Sequence, residues 1–325
     1  MNATKYRLTP NLFGVSFGTA GLAQAWTAAW HTVGAAEWVG VALWVAAAAL
    51  WVVTLVSYVA NASAQGRLRT EVTHPTTGPF TSLIAIIPML LGAALEPYAE
   101  TAGKVVYTVG LVGTVALGSW ITGAWIRLDM KLADWHPGYF LPTVAGGLIA
   151  AGGAAVFGWT RLAELMFGYG LVCWFVLGSI LLLRLFTQPR LAPPLLPTMA
   201  IELAPPVVAG NVWFAMNGGR ADLVATVFAG YAILMALVQV SLIPLYRTAP
   251  FGPPYWAFAF TYAAAVAVAI RWLAADDVVG RTGITYALLA VGSLAFAVLG
   301  ARSVLALKNG TFLLRNPAPL PDPVS

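Results

Sequence analysis

One acidic residue lies inside a long apolar stretch of the sequence and is the first candidate for chemistry. Glu202 interrupts the segment 198–216 about one helical turn from its beginning, just before Pro205-Pro206. A carboxyl group inside a bilayer costs several kcal/mol unless it is protonated, paired or hydrated. Two interpretations stay open: Glu202 couples transport to protons or contacts a solute, or it bonds to a neighbouring helix end or to interfacial water.

Few other residues have the types and spacing that catalysis or metal binding needs. The three histidines lie outside the apolar cores, and His74 and His136 each precede a proline, where they are expected to cap helix entries. Cys173 is the single cysteine, so the chain forms no intrachain disulfide. No nucleotide-binding loop, metal cluster or hydrolytic triad is present in the sequence. We therefore expect no metal, no cofactor, no direct use of ATP and no enzymatic activity; an intramembrane enzyme would have no candidate catalytic pair.

The elements that hold these residues are indicated by composition. Of the 325 residues, 60% are hydrophobic and 9% are charged, whereas a soluble domain carries about 25% charged residues. Uncharged stretches recur at about the length of ~20 residues that a helix needs to cross hydrocarbon. The sequence predicts an all-α integral membrane protein with ten transmembrane helices, at 11–30, 34–60, 80–95, 102–126, 139–157, 161–186, 198–216, 221–246, 255–273 and 282–307.

The basic residues predict the orientation of these helices. Twelve of the 17 lysines and arginines fall on one side when successive connections alternate, and the other five are Lys104, Arg161, Arg220, Arg271 and Arg281. Basic loops stay cytoplasmic, so both termini are expected in the cytoplasm and the chain in the inner (plasma) membrane. The net charge of +5 then reflects the inner surface and indicates no nucleic-acid partner. Residues 1–307 form the predicted membrane domain, and 308–325 a proline-rich, disordered cytoplasmic tail.

The spans alternate between two kinds. Odd-numbered spans are short and contain Pro88, Pro142, Pro205 and Pro206, while the even-numbered spans are longer and contain only Pro244, near an end. Proline frees a backbone carbonyl, which is tolerated at membrane depth where it faces protein or a water-filled cavity. We therefore predict five helical hairpins, in which the odd helices line a central conduit and the even helices face lipid. The alternative is that the kinks only help the helices to pack against one another.

Motifs in all five odd helices resemble those of one known family. They are Leu12-Phe13-Gly14 with Gly18 and Ala25-Trp26, His74-Pro75 with Phe80 and Ile87-Pro88, His136-Pro137-Gly138-Tyr139-Phe140-Leu141-Pro142, Leu203-Ala204-Pro205, and Trp256-Ala257-Phe258-Ala259-Phe260. In this order and spacing the chain resembles the tellurite-resistance (TehA) and dicarboxylate transporter family, which includes plant slow anion channels, sulfite exporters and malate permeases.

The resemblance implies ten helices in five hairpins around a pore, one pore in each subunit of a homotrimer, and passage of anions. It implies that a phenylalanine of the ninth helix plugs the pore, which assigns Phe260, with Phe258 as the alternative. Ser16 stands where TehA carries proline, so kinking of the first helix must rely on glycine. The predicted pore-lining kinks are therefore Gly14, Gly18, Pro88, Pro142 and Pro205.

Three functions remain open at this point. The leading one is a pore for small anions such as chloride or nitrate, gated by Phe260. The alternative is a proton-coupled transporter for C4-dicarboxylates such as malate, for sulfite or for tellurite-type oxyanions, with Glu202 carrying the proton. A membrane enzyme or scaffold would show no flux. Because the odd helices carry no other charge except Arg271 at an outer end, we expect weak selection by dipoles and size.

Overall fold

The computed structural model describes residues 6–315 and consists almost entirely of helices. Within that range the chain forms five helical hairpins, and each hairpin joins a shorter or interrupted helix to a long one. The helices are α1 (Phe13–Val33), α2 (Glu37–Ala64), α3 (Leu68–Val72), α4 (Leu83–Ala94), α5 (Glu96–Arg127), α6 (Gly146–Val156), α7 (Thr160–Thr187), α8 (Ala204–Met216), α9 (Leu223–Ser241), α10 (Ile243–Tyr246), α11 (Trp256–Ala275) and α12 (Arg281–Lys308).

The inner layer is a closed ring of five helices. In the order α1, α4, α6, α8 and α11, each helix contacts the next, and α11 returns to contact α1. In the most apolar 18-residue stretch of each helical segment, 78% of the residues are buried in Pro137–Val156 and 72% in Pro193–Met216. The corresponding share is 11% in α2 and in α12. The five helices of the ring therefore form the core, and α2, α5, α7, α9 and α12 surround them.

The outer layer presents apolar side chains to its surroundings. Large exposed hydrophobic residues recur along α2, α5, α7, α9 and α12, for example Val53 on α2 and Leu294 on α12. A helix that is hydrophobic all round, with one side exposed, suits contact with lipid. The prediction of an all-α membrane protein is confirmed.

Eight helices in the described part of the chain are long and apolar enough to cross a membrane. The two inner helical segments that do not meet both criteria are Gly78–Ala94 and α1. Gly78–Ala94 is too short, and α1 is long enough but more polar than the eight. Both belong to hairpins whose other helix, α2 or α5, qualifies. The crossing of the bilayer by all ten helices stays a prediction.

Each inner helix is preceded by a 3₁₀ segment that contains proline in its first two positions. Proline is favoured there because the first amide groups of a helix have no intrahelical acceptor. The turns are Pro10–Leu12, Gly78–Ser82, Pro137–Phe140, Pro193–Leu203 and Pro253–Tyr255. They also contact one another in ring order and close the ring at one end of the molecule.

The same end carries both ends of the described chain. A two-residue strand, β1 (Tyr6–Arg7), pairs antiparallel with β2 (Leu314–Arg315). We call this end the terminal face and the opposite end the far face. Phe312, within the predicted tail, is buried here. The proline-rich end of that tail, 316–325, lies outside the described residues, and its disorder stays a prediction.

A buried carboxylate ties the terminal face together. Glu71 is 1% exposed, and its Oε1 accepts hydrogen bonds from Arg7 Nη2 at 2.6 Å and from Arg67 Nη1. Arg67 also donates to Asn61 Oδ1, which accepts in addition from the backbone N–H of Leu8. The ion pair of Arg7 with Glu71 ties the first strand to α3, and the hydrogen bond from Leu8 to Asn61 ties the residue after the strand to the end of α2.

Glycine allows α1 and α11 to approach closely. A Cβ at Gly18 would lie 2.5 Å from Ala259 Cβ and 3.2 Å from the Trp256 ring. We expect Gly18→Leu to destabilise the protein by about 1–3 kcal/mol through overpacking. Thermal unfolding in detergent measures the change. Gly300→Leu is the matched control, since open space surrounds Gly300 and Leu is a better helix former. Equal stability of the two variants would contradict this packing.

Candidate functional site

A narrow cavity of about 50 Å³ lies inside the ring on the side of the terminal face. We call it the terminal-side cavity. All five inner helices or their entry turns line it, almost entirely with apolar side chains. Its lining includes Gly14, Phe17, Phe80, Leu83, Phe140, Val144, Leu148, Ile201, Pro205, Val208, Ala257 and Phe260.

A second cavity of about 110 Å³ lies inside the ring on the side of the far face. We call it the far-side cavity. It too is lined by all five inner helices, and its lining includes Gln24, Met89, Leu90, Ile149, Gly153, Val208, Asn211, Val212, Phe260, Ala264 and Arg271. The two cavities share only Phe260 and Val208 among their described lining residues.

Phe260 lies where the two cavities meet. Its side chain is 4% exposed, and its ring stacks on Phe17 of α1 with centroids 3.6 Å apart and planes 11° from parallel. Gly21 makes room for it, since a Cβ there would lie 3.0 Å from Phe260 Cδ2. The aromatic pair therefore fills the centre of the ring between the two empty spaces.

Phe258, the alternative residue, lies elsewhere. Its ring makes an edge contact with Tyr246 at 4.9 Å between centroids and stacks on Tyr262 at 5.7 Å. It lines neither central cavity. Of the two phenylalanines predicted as the plug, only Phe260 lines the central cavities.

The predicted kink residues divide into two groups. Gly14 and Pro205 line the terminal-side cavity, whereas Gly18, Pro88 and Pro142 line neither central cavity. Pro205 follows directly after the change from the 3₁₀ turn Pro193–Leu203 to α8, and Pro142 lies in a π turn, Leu141–Ala145. Pro88 lies inside α4 without such a change.

Glu202 faces a different space. It lines a lateral cavity of about 710 Å³ bounded by α7, the turn Pro193–Leu203 and α9, together with Arg184 and Arg190. The residue is 6% exposed, and its Oε1 has no hydrogen-bond partner among the described residues. Neither central cavity includes Glu202 in its lining.

Arg271 is a residue of the site whose importance the sequence reasoning missed. It lines the far-side cavity and also a wider vestibule of about 310 Å³ that opens at the far face. Its Nε donates to Asn211 Oδ1 at 3.2 Å. The far-side cavity therefore contains a fixed cation, which the expectation of selection by dipoles and size alone did not include. A spacing of eleven residues, close to three helical turns, places Arg271 on the same face of α11 as Phe260 and was the available signal.

His74 and His136 have structural roles at the terminal face, whereas His31 lines the vestibule at the far face. His136 is fully buried; its Nδ1 accepts from the Gly138 N–H at 3.2 Å, and its Nε2 lies 3.1 Å from the Thr76 carbonyl. Burial lowers the pKa of His136 to about 4, so the ring is neutral and Nε2 donates. His74 Nδ1 accepts from the Thr76 N–H at 3.2 Å. Within residues 6–315 no group of three histidine, cysteine or acidic side chains is placed to hold a metal.

Comparison with known proteins places this architecture in a family. The sequence model of a family described as SLAC1, voltage-dependent anion channel, matches residues 7–304. The tellurite resistance protein TehA homolog of Haemophilus influenzae is 28% identical over 263 residues, which is 80% of this chain and 80% of that protein. The resemblance read from the motifs of the odd helices is thus confirmed over nearly the whole chain. This multi-pass membrane protein belongs to the SLAC1/TehA family of anion channels and transporters.

Proposed function

We propose that small anions pass down their gradient through the centre of the ring and that Phe260 is the plug that limits them. The path consists of the terminal-side cavity, the Phe260 constriction, the far-side cavity and the vestibule, and we call it the central path. The observation that carries the proposal is the position of Phe260 between two cavities that are each lined by all five inner helices.

The chemistry of the central path favours anions. The amino-terminal ends of all five inner helices gather at the terminal face, where the positive ends of their dipoles favour negative charge. No aspartate or glutamate lines either central cavity within residues 6–315. An anion therefore meets no carboxylate in either central cavity, and Glu37 and Glu96 line only the vestibule beyond them.

The orientation and the assembly of the protein follow from its charges and its family resemblance. The terminal face is cytoplasmic, because it carries the excess of basic connections. The protein lies in the inner (plasma) membrane, with one path in each subunit of a homotrimer as the resemblance implies. It is not an enzyme and needs no cofactor.

A proton-coupled transporter is the second candidate, and the observation that favours it is the buried, unpartnered Oε1 of Glu202. The relative in Haemophilus influenzae is named for tellurite resistance, which suits an oxyanion as the passenger. Glu202, however, lines the lateral cavity and not the central path. Passive flux is therefore the better-supported function.

We expect Glu202→Gln to leave passive anion flux within about twofold of the parent, because the carboxyl lies off the central path. Flux into liposomes is measured with and without an imposed proton gradient. Glu164→Gln, which removes an exposed carboxyl on α7, is the matched control. Accumulation driven by protons in the parent but lost in Glu202→Gln would instead establish the coupled transporter.

The same liposomes test the function itself. Chloride and nitrate efflux from vesicles containing the purified protein is compared with efflux from protein-free vesicles, with a potassium ionophore present to carry the balancing charge. We expect flux in both directions that follows the anion gradient. Protein-containing vesicles that retain every anion tested would refute the proposal and favour a scaffold.

A further inference from the structure

We propose that Arg271, held in place by Asn211, forms an anion-binding site at the far end of the central path, with a preference for small planar oxyanions such as nitrate and carboxylates. The site would collect anions before they meet Phe260. This inference rests on the proposed function for its role in flux, while binding itself can be tested separately.

The charge of Arg271 is uncompensated within the described residues. No salt bridge joins Arg271 to a carboxylate in residues 6–315, and the far-side cavity has no other charged lining residue there. Glu37 and Glu96 line the vestibule together with Arg271, but neither lines the far-side cavity. Glu37 accepts a hydrogen bond from the Tyr98 hydroxyl at 2.7 Å.

Asn211 fixes the orientation of the guanidinium. Its Nδ2 donates to the carbonyls of Val207 and Ala264, each at 2.9 Å, so its Oδ1 must face Arg271. That oxygen accepts a hydrogen bond from the Nε–H of Arg271 at 3.2 Å. An amide with both of its donors committed in this way holds the arginine and is not itself free to bind a ligand.

The remaining guanidinium donors define the ligand. The two terminal amino groups of Arg271 make no hydrogen bond to the described residues, and they present a planar fork beside the far-side cavity, whose lining carries no other charge among those residues. Such a fork matches two oxygens of a planar anion and gives it two parallel charge-assisted hydrogen bonds, which a spherical halide cannot accept in the same geometry. Gln24 adds an amide on the same cavity.

The position of the site suits capture ahead of the constriction. Eleven residues of α helix separate Phe260 from Arg271, a distance of about 16 Å along the axis. The lining of the far-side cavity includes both residues. An anion bound at Arg271 therefore lies at the entrance to the space that Phe260 closes.

The test compares Arg271→Gln and Arg271→Lys with the parent, using nitrate and chloride as probes. In liposomes we expect Arg271→Gln to raise the nitrate concentration for half-maximal flux about tenfold, with little change at saturating nitrate. Arg271→Lys should retain most of the affinity but lose the preference of nitrate over chloride. Arg220→Gln, an exposed charge at the same face, is the matched control and should change neither quantity.

Binding is measured separately by calorimetric titration of nitrate into the purified protein in detergent, after thermal unfolding has shown that each variant is folded. Binding that is lost in Arg271→Gln supports the site even if the parent conducts nothing, which would overturn the proposed function alone. Unchanged nitrate affinity in a folded Arg271→Gln variant would overturn the site. A folded Arg271→Lys variant that keeps both the nitrate affinity and the preference for nitrate over chloride would overturn it as well.

Discussion

Replacing Phe260 with alanine is expected to raise the anion conductance of the protein by at least about tenfold, since each ~1.4 kcal/mol removed from a barrier multiplies a rate by ten. The Phe260 side chain is the aromatic group that borders both central cavities, and its removal would join them into one space. Single-channel or macroscopic current in a planar bilayer measures the effect.

Phe258→Ala is the matched control for this experiment. It removes the same side chain two residues away, on a ring that contacts Tyr246 and Tyr262 and lies outside the central cavities. Its conductance should equal that of the parent. Currents that stay unchanged in Phe260→Ala, or that rise equally in Phe258→Ala, would refute the assignment of the plug.

Replacing Glu71 with alanine is expected to give the largest loss of stability, about 2–4 kcal/mol. The variant leaves the guanidinium groups of Arg7 and Arg67 without their shared carboxylate at a buried position. The loss should fall below that of a fully buried cluster, because the Arg7 side chain is 32% exposed and partly hydrated. Equilibrium unfolding in detergent gives the free energy.

The control for Glu71→Ala removes an ordinary surface ion pair. Glu100 pairs with Lys104 on α5 at 2.5 Å, and its side chain is 60% exposed. Glu100→Ala should therefore cost less than about 1 kcal/mol. If Glu71→Ala proves no more destabilising than Glu100→Ala, the cluster does not hold the terminal face.

The hairpin architecture could be predicted from the sequence because its causes are local. Uncharged stretches separated by short polar connections indicate membrane helices. The 3₁₀ turns were not predicted, and their prolines, such as Pro10, Pro79 and Pro253, lie just before the predicted odd spans. The strand pair of Tyr6–Arg7 with Leu314–Arg315 could not be predicted, because two residues give no alternating pattern.

The direction of a side chain around its helix was harder to predict. Glu202 is the next-to-last residue of an eleven-residue 3₁₀ segment, Pro193–Leu203. Three residues complete a turn there instead of 3.6, so counting along an α helix misplaces the face of Glu202. Phe258 and Phe260 are two residues apart on α11 and so face nearly opposite sides. Only packing against α1 decides which of them faces the ring.

The most direct test of the central path is one-sided chemical access across Phe260. In a Cys173→Ser background, Ala257→Cys places a thiol in the terminal-side cavity and Ala264→Cys places one in the far-side cavity. A small, anionic, membrane-impermeant thiol reagent is applied at the far face while anion current is recorded. We predict that the reagent blocks the current of Ala264→Cys and does not block the current of Ala257→Cys. The current of Ala257→Cys should be blocked only when Phe260 is also replaced by alanine. Equal modification of both thiols with Phe260 in place, or modification of Ala264→Cys without loss of current, would contradict the account.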